Sequence, residues 1–139
     1  MSKENIEIRL VDNWPEDDLV KLYKAGGWWK NSYDKSKLKD LIKGSFIFAI
    51  VIDNNTKQTI GMGRIISDGI ADAYIQDLLV LPDYRKQGIG KKLVDKLINY
   101  CKSKGLKWIA LIAEPDQDGF YSSIGFKQMD KYVPMKFEE

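Results

Sequence analysis

The sequence predicts one α/β domain across residues 1–139, with helices and strands alternating along the chain. The segment Asp72 to Leu81 ends in an apolar run before Pro82, which indicates a largely buried strand. An amphipathic helix follows from Ile89, and Lys107 to Ala113 is a second apolar segment typical of a buried strand. A length of 139 residues suits one domain with a substantial core.

The first elements are a short strand and two helices. The strand is Glu7 to Val11. The first helix is predicted from Pro15 to about Lys24. Proline fits the first turn of a helix, and the three acidic residues that follow it stabilise the helix by interacting with the positive end of its dipole. After a loop rich in glycine and tryptophan, the second helix begins at Asp34 or Ser36 and ends at Lys43.

A β-hairpin, a long helix and a C-terminal strand complete the pattern. Ser45 to Ile52 and Gln58 to Ser67 should pair around a turn at residues 53–55. The helix from Ile89 has apolar residues at helical spacing and ends before Gly105. A final strand is predicted at Tyr132 to Phe137. The predicted order of elements is β-α-α-β-β-β-α-β-α-β-β.

Arg85, Gly88 and Gly90 form a motif at the junction of the buried strand and the amphipathic helix. Backbone N–H groups in such a turn lie at the positive end of the helix dipole, where they bind phosphate groups. Lys92 stands where the Walker A motif requires serine or threonine, and Leu93 stands where the dinucleotide fingerprint requires a third glycine. What remains is Arg-x-x-Gly-x-Gly, a candidate pyrophosphate site.

A second motif, Phe-Tyr-x-x-x-Gly-Phe, lies further along the chain. Its fixed positions are Phe120, Tyr121, Gly125 and Phe126. The two motifs together resemble those of the GNAT acyltransferase superfamily, and the resemblance is specific over Ile75 to Phe126. It implies the GNAT fold, a mixed and mostly antiparallel twisted sheet with helices on both faces. In that fold the fourth and fifth strands run parallel and splay apart at the coenzyme site.

The composition excludes several classes of function. A net charge of +2 gives no sign of the strongly basic surface that nucleic-acid binding requires. No apolar stretch is long enough to span a membrane. The absence of histidine excludes Ser-His-Asp and Cys-His catalysis and histidine-based zinc sites, and we expect no metal. Cys101 is expected to be a core thiol. Because there is one cysteine, and Met1 to Asn5 lack an apolar signal segment, we expect a cytoplasmic protein.

The resemblance implies acetyl-CoA as co-substrate. Backbone N–H groups of the turn should hold its pyrophosphate, and the glycines there allow a close approach. Charge from Arg85 would assist. The turn residues concerned are Lys86, Gln87, Gly88, Ile89, Gly90 and Lys91. The pantetheine amides should pair with the free edge of the fourth strand at Leu78 and Val80, as an added strand would. A backbone N–H of the same strand would stabilise the oxyanion at the thioester carbonyl.

Tyr121 is the candidate general acid, because the resemblance places this tyrosine near the coenzyme sulfur. A phenol with a pKa of ~10 can protonate a leaving thiolate whose pKa is ~8.5. The alternative is a packed aromatic residue. The base is open, since some relatives have a glutamate where this chain has Gln76, which accepts no proton. Asp77 and Glu114 are candidate bases or plain structural residues, and a water chain is a further alternative.

Trp28 and Trp29, together with Gln76, are the candidate acceptor-binding residues. The tryptophans could wall an apolar or cationic ligand, or they could cap the core. The expected function is acetyl transfer from acetyl-CoA to a primary amine of a small molecule, by direct attack in a ternary complex. The alternatives are a protein N-terminal or lysine acetyltransferase and a catalytically silent coenzyme A sensor. No nucleic-acid or membrane partner is expected, and a homodimer stays open.

Overall fold

A computed structural model describes residues 5–139 of the chain. Residues 1–4 lie outside this range. They include most of the segment Met1 to Asn5, on which the expectation of no signal peptide rested. Within it, five strands form one sheet: β1 (Ile6–Val11), β2 (Ile47–Asp53), β3 (Gln58–Ile66), β4 (Asp72–Val80) and β5 (Trp108–Ala110). No helix of this described part is both long and apolar enough to cross a membrane.

The sheet has the strand order β1-β2-β3-β4-β5, with antiparallel pairing from β1 to β4 and a parallel pairing of β4 with β5. β2 and β3 are almost entirely buried, as the apolar runs in their sequences predict. This mixed, mostly antiparallel sheet with flanking helices confirms the predicted fold class.

Four α-helices accompany the sheet: α1 (Glu16–Ala25), α2 (Leu38–Gly44), α3 (Ile89–Ser103) and α4 (Asp118–Ser123). Pro15 precedes α1, and the Asp34 carboxylate accepts a hydrogen bond of 2.9 Å from the Ser36 backbone N–H at the start of the 3₁₀ turn that leads into α2. Both helix starts therefore follow from the local sequence.

The inward face of α3 is the main helical contribution to the core. Leu93, Val94, Leu97 and Cys101 are completely buried there, and α3 contacts β2 and β3. Burial raises the pKa of the Cys101 thiol, which agrees with an inert core residue.

The structure departs from the sequence prediction after α3. β5 covers only Trp108–Ala110, although Lys107 to Ala113 was predicted, because β4 and β5 pair over three residues and then separate. The strand predicted at Tyr132 to Phe137 is wrong for the described chain: residues 124–139 form no strand. A strand needs a partner for its backbone, and among residues 5–139 no backbone hydrogen bond joins this segment to β5.

Candidate active site

The separation of β4 from β5 opens a cleft of about 1190 Å³. The two strands pair from Asp72 to Tyr74, so the second half of β4 presents a free edge to this cleft. Residues 111–115, which follow β5, line the opposite wall together with α4, and the start of α3 closes one end. The predicted splay of the two parallel strands is therefore present.

A β-bulge shapes the free edge of β4. The register on β3 shifts between Met62, which faces Leu79, and Arg64, which faces Gln76, so that two β4 residues stand opposite one β3 residue. One of the two is Asp77, whose φ of +55° is unusual for a residue with a side chain. The bulge breaks the alternation that would turn neighbouring side chains of a strand to opposite faces, and both Gln76 and Asp77 line the cleft.

Asp77 is anchored by two side chains. Its Oδ2 atom accepts hydrogen bonds from the Tyr23 hydroxyl (2.7 Å) and from Arg64 Nε (2.8 Å), and Arg64 Nη1 also donates to Ser45 Oγ at 3.3 Å. Burial and the neighbouring Asp77 charge raise the pKa of Tyr23 far above its usual value, so Tyr23 stays a donor. These contacts favour a role in fixing the bulge, and the assignment of Asp77 as a base stays a prediction.

The turn between β4 and α3 presents unpaired backbone donors. Lys86 and Gly88 have φ values of +62° and +80°, and α3 begins at the next residue, Ile89. Among residues 5–139, no backbone acceptor is found for the N–H groups of Lys86 to Lys91. Six free donors at the positive end of a fifteen-residue helix suit a phosphate-bearing ligand.

Two hydrogen bonds hold this turn in place. Arg85 Nε donates to the Val80 carbonyl oxygen at 2.9 Å, which closes the turn onto the end of β4. The Tyr84 hydroxyl donates to Asp53 Oδ2 at 2.7 Å and ties the turn to the β2–β3 hairpin. The Tyr84 hydroxyl lowers the pKa of Asp53, and the same hydrogen bond raises the pKa of Tyr84. Sequence reasoning missed this pair, because nothing local links residues on two different turns.

The aromatic motif on α4 meets the same turn. A Cβ atom on Gly90 would lie 3.1 Å from Phe120 Cζ, so this glycine lets α4 approach the start of α3. The Tyr121 ring packs edge-to-face on Phe120 and on Phe126, with centroids 5.0 Å and 5.7 Å apart. The two phenylalanines therefore fix the orientation of the tyrosine.

Tyr121 and Glu114 both line the cleft and act on each other electrostatically. Burial, and after it the charge of Glu114, raise the pKa of Tyr121. Glu114 Oε1 accepts a hydrogen bond of 2.9 Å from Trp28 Nε1, a contact between residues 86 positions apart. Trp28 can lie there because Gly26 has no side chain: a Cβ atom on Gly26 would be 2.6 Å from the Trp28 ring.

Comparison with known proteins identifies the family. The model of the Acetyltransferase (GNAT) domain matches residues 44–128, which is more than half of the chain. The chain belongs to the GNAT acetyltransferase family. A soybean protein named histone acetyltransferase TAP1 is 37% identical over 114 residues, covering 82% of this chain and 46% of that protein. The chain spans about half the length of the curated relatives that it matches.

Solved GNAT structures share the architecture. A GNAT family acetyltransferase of Streptococcus pneumoniae superimposes with a TM-score of 0.80 at 28% identity, covering 96% of this chain and 98% of that chain. The aminoglycoside acetyltransferase AAC(6')-Iy, solved with a CoA-containing bisubstrate analogue, has a TM-score of 0.72 at 18% identity, which shows a common fold.

Most of the site residues predicted from the sequence line the cleft, and two of them, Trp29 and Gln87, do not. Trp29 packs edge-to-face on Tyr33, with centroids 5.4 Å apart, and does not line the cleft. Gln87 directs its amide to the Asp83 carbonyl oxygen at 3.4 Å. The predicted residues that line the cleft are Trp28, Gln76, Asp77, Leu78, Val80, Arg85, Lys86, Gly88, Ile89, Gly90, Lys91, Glu114 and Tyr121.

Proposed function

We propose that this GNAT protein transfers the acetyl group of acetyl-CoA to a primary amine of a small molecule. The observation that supports this most is the set of groups that line one cleft: the turn whose N–H groups from Lys86 to Lys91 are free, the free edge of β4, and Tyr121 with Glu114, whose charge acts on that tyrosine. In the proposed complex the turn would form the phosphate end of the cleft, and Tyr121 with Glu114 would form the acceptor end.

The phosphate end suits the co-substrate. The N–H groups from Lys86 to Lys91 would bind the pyrophosphate, and no side chain at Gly88 or Gly90 obstructs it. The free edge of β4 at Leu78 and Val80 would pair with the pantetheine amides, which have the same donors and acceptors as a peptide strand. When bound there, acetyl-CoA supplies an activated acetyl thioester.

In this proposal Tyr121 donates a proton to the leaving thiolate and Glu114 accepts a proton from the attacking amine. Attack of the amine nitrogen on the thioester carbon forms a C–N bond and breaks the C–S bond, so the departing thiolate needs one proton and the attacking amine must lose one. The raised pKa of Tyr121 keeps its hydroxyl protonated at neutral pH, as a general acid requires. Glu114 has a free carboxylate oxygen beside it and would take the amine proton, directly or through water.

Trp28 and Glu114 would bind the acceptor. Their hydrogen bond joins the loop after α1 to the chain after β5 and so bridges the acceptor end of the cleft. A carboxylate beside an indole ring attracts an ammonium group. We expect this bridge to restrict the entry of an extended peptide more than that of a small cation. A protein amine is the second candidate, which the name of the soybean relative favours.

The function is tested by measuring thiol release from acetyl-CoA with a panel of small primary amines and, in parallel, lysine and N-terminal peptides. We expect turnover with at least one small amine and at most weak turnover with peptides. Faster turnover with peptides would assign the protein-acetylating alternative. Binding of acetyl-CoA without thiol release for any acceptor would support the silent sensor.

Glu114→Gln tests the acceptor end. Glutamine keeps a carbonyl oxygen for Trp28 but loses the negative charge, so KM for a cationic amine should rise by roughly 10-fold or more. The affinity for acetyl-CoA, measured by calorimetry, should stay unchanged. Asp116→Asn, a loss of the same charge two positions away on an exposed turn, is the matched control and should leave KM unchanged. An equal effect of both variants would contradict a specific role for Glu114.

A further inference from the structure

We propose that Tyr23 is a positioning residue for acetyl transfer, which holds the bulge of β4 and the acceptor end of the cleft in one fixed arrangement. The inference rests on the proposed function and deepens it, since it names what aligns two walls that lie on distant elements. Its basis is that the hydroxyl of Tyr23 contacts one wall, while its ring and its backbone carbonyl contact the other.

The hydroxyl of Tyr23 reaches β4. Tyr23 lies buried near the end of α1, and its hydroxyl donates to Asp77 Oδ2 at 2.7 Å. Arg64 Nε, on β3, donates to the same oxygen at 2.8 Å. Arg64 Nη1 donates in turn to Ser45 Oγ, which itself donates to the Leu41 carbonyl oxygen at 2.7 Å. The Asp77 carboxylate is therefore held from α1, from β3 and, through Ser45, from the end of α2.

Asp77 is a residue that its own strand does not fix. Its φ of +55° lies in a region that residues with a side chain seldom adopt, although aspartate and asparagine tolerate it best. In the described sheet, the register of β3 with β4 gives Asp77 and Leu78 no partner of their own. The side chains of Arg64 and Asp77 are 16% and 19% exposed, so water competes little for their contacts. These contacts fix the bulge where the ladder does not.

The ring and the carbonyl of Tyr23 reach the acceptor end. The Tyr23 carbonyl oxygen accepts a hydrogen bond of 2.9 Å from the Trp28 backbone N–H. The two rings pack edge-to-face with centroids 6.2 Å apart. Trp28 Nε1 donates to Glu114 Oε1 at 2.9 Å. Tyr23 therefore holds the loop residue that contacts Glu114.

The two walls need such a connection because the sheet does not supply it. β4 and β5 pair over three residues and then separate, so no ladder sets the distance between the walls beyond Tyr74. Contacts from Asp77 through Tyr23 and Trp28 to Glu114 span this separation. In the proposed complex the thioester lies against the bulge and the amine lies at Glu114, and a misplacement of about 1 Å between reacting groups can cost roughly 10²-fold in rate.

Tyr23→Phe tests the proposal, because it keeps the ring on Trp28 and removes only the hydroxyl. We expect kcat to fall by roughly 10-fold or more, while KM for a responsive amine and the calorimetric Kd for acetyl-CoA stay within about threefold. Both are measured well below the Tm of the variant. Tyr100→Phe, which removes a hydroxyl outside the cleft, is the matched control and should keep the wild-type kcat. An unchanged kcat for Tyr23→Phe would overturn the proposal, as would an equal fall for Tyr100→Phe.

Substitutions of Asp77 test whether the two residues act as one unit. Asp77→Asn keeps an acceptor oxygen and tolerates the positive φ, whereas Asp77→Ala loses the acceptor. We expect the asparagine variant to keep a much larger kcat than the alanine variant, and Tyr23→Phe to cause no further loss when combined with Asp77→Ala. Equal losses for asparagine and alanine, or losses that multiply in the double variant, would contradict the positioning role.

Hydrogen exchange followed by mass spectrometry tests the same contact without an acceptor. In Tyr23→Phe, the amides of residues 76–80 should exchange faster than in wild type, and those of β1 should exchange at the wild-type rate. Unchanged exchange in residues 76–80 would overturn the proposal even if kcat falls. Absence of turnover with every amine would instead contradict the proposed function, and the exchange rates would still decide whether Tyr23 holds the bulge.

Discussion

At the scale of single residues, Tyr121 shows how neighbouring groups orient a tyrosine ring and keep its hydroxyl protonated. Phe120 and Phe126 hold its ring from two sides, and Glu114 adds a negative charge nearby. The charge and the burial both favour the neutral phenol. The hydroxyl therefore keeps its proton beyond the usual tyrosine pKa of ~10 and is available as a donor at every physiological pH.

Replacing Tyr121 by phenylalanine should lower kcat far more than it changes the affinity for acetyl-CoA. The aromatic packing persists, and what is lost is a proton donor that acts mainly in the transition state, which typically costs about 10²- to 10⁴-fold in rate. Steady-state kinetics with a responsive amine, together with calorimetry, measure the two effects separately.

Tyr33→Phe is the control for this substitution, because Tyr33 packs on Trp29 outside the cleft and should tolerate the loss of its hydroxyl. If Tyr121→Phe turns over within about twofold of wild type while chemistry limits the rate, Tyr121 is a packed aromatic residue. Glu114 or a water would then be the proton donor to examine.

The features of the candidate site that depend on neighbours in sequence could be predicted from the sequence. The Tyr121 motif and the Gly88 turn are of this kind, since their residues are close together along the chain. The bond between Trp28 and Glu114 joins positions 86 residues apart, and no spacing rule reveals it. The positive φ of Asp77 depends on a register shift between two strands, which side-chain alternation alone cannot anticipate.

At the scale of elements, the turn before α3 is the part of the site built from backbone. Gly88 adopts φ +80°, and Gly105, at the other end of the same helix, adopts φ +82°. A Cβ atom on Gly105 would meet nothing within 4 Å. The two glycines thus share one backbone conformation, with Gly88 in the lining of the cleft and Gly105 exposed outside it.

This pair allows a matched test of the phosphate site. Asparagine tolerates positive φ better than other residues with a side chain, so Gly88→Asn should fold and yet obstruct the approach of the pyrophosphate. We expect the affinity for acetyl-CoA to fall by roughly 10-fold or more by calorimetry. Gly105→Asn should bind as wild type does, with a similar Tm.

Equal affinities of the two asparagine variants would show that the turn does not bind the co-substrate. Gly90 is less suitable for this test, because a side chain there would press on the Phe120 ring and confuse packing with binding. A large fall in Tm for Gly88→Asn alone would reveal strain, and Gly88→Ala would then report how much of it comes from the backbone.

The length of an element is less predictable than its existence. The apolar run from Lys107 to Ala113 correctly indicates a strand, but β5 ends at Ala110 because β4 has already turned away. The segment from Tyr132 has the alternation of a strand and finds no partner within the described chain. In both cases the deciding factor is the neighbouring strand, which a local pattern does not specify.

At the scale of the whole molecule, one buried hydrogen bond joins the β2–β3 hairpin to the segment that leads from β4 to α3. Asp53 ends β2 and is fully buried, and Tyr84 lies in the 3₁₀ turn that precedes α3. The same carboxylate accepts a 2.9 Å hydrogen bond from the Asn55 backbone N–H in the hairpin turn. The hairpin and the turn before α3 therefore share Asp53 as an anchor, and both should respond when it is lost.

The pH dependence of stability should report this anchor. The Tyr84 hydroxyl holds the pKa of Asp53 below its ordinary value of 3.8, so the carboxylate stabilises the fold above that pH. This contribution disappears as the pH falls through the lowered pKa. Tyr84→Phe removes the main cause of the shift and leaves a buried carboxylate oxygen without its donor, and Tm at pH 7 should fall by roughly 3 to 8 °C.

Denaturant unfolding of wild type and Tyr84→Phe between neutral and strongly acidic pH measures the difference in the free energy of unfolding. The difference should be largest near neutral pH, should begin to shrink below the ordinary aspartate pKa of 3.8, and should be smallest below the lowered pKa, where Asp53 is protonated in folded wild type as well. Tyr100→Phe, whose ring packs on Phe46, should remain close to wild type across the range. A difference that stays constant with pH would mean that the Tyr84 hydroxyl stabilises the fold independently of the charge on Asp53, and no difference at any pH would mean that Tyr84 contributes through ring packing alone.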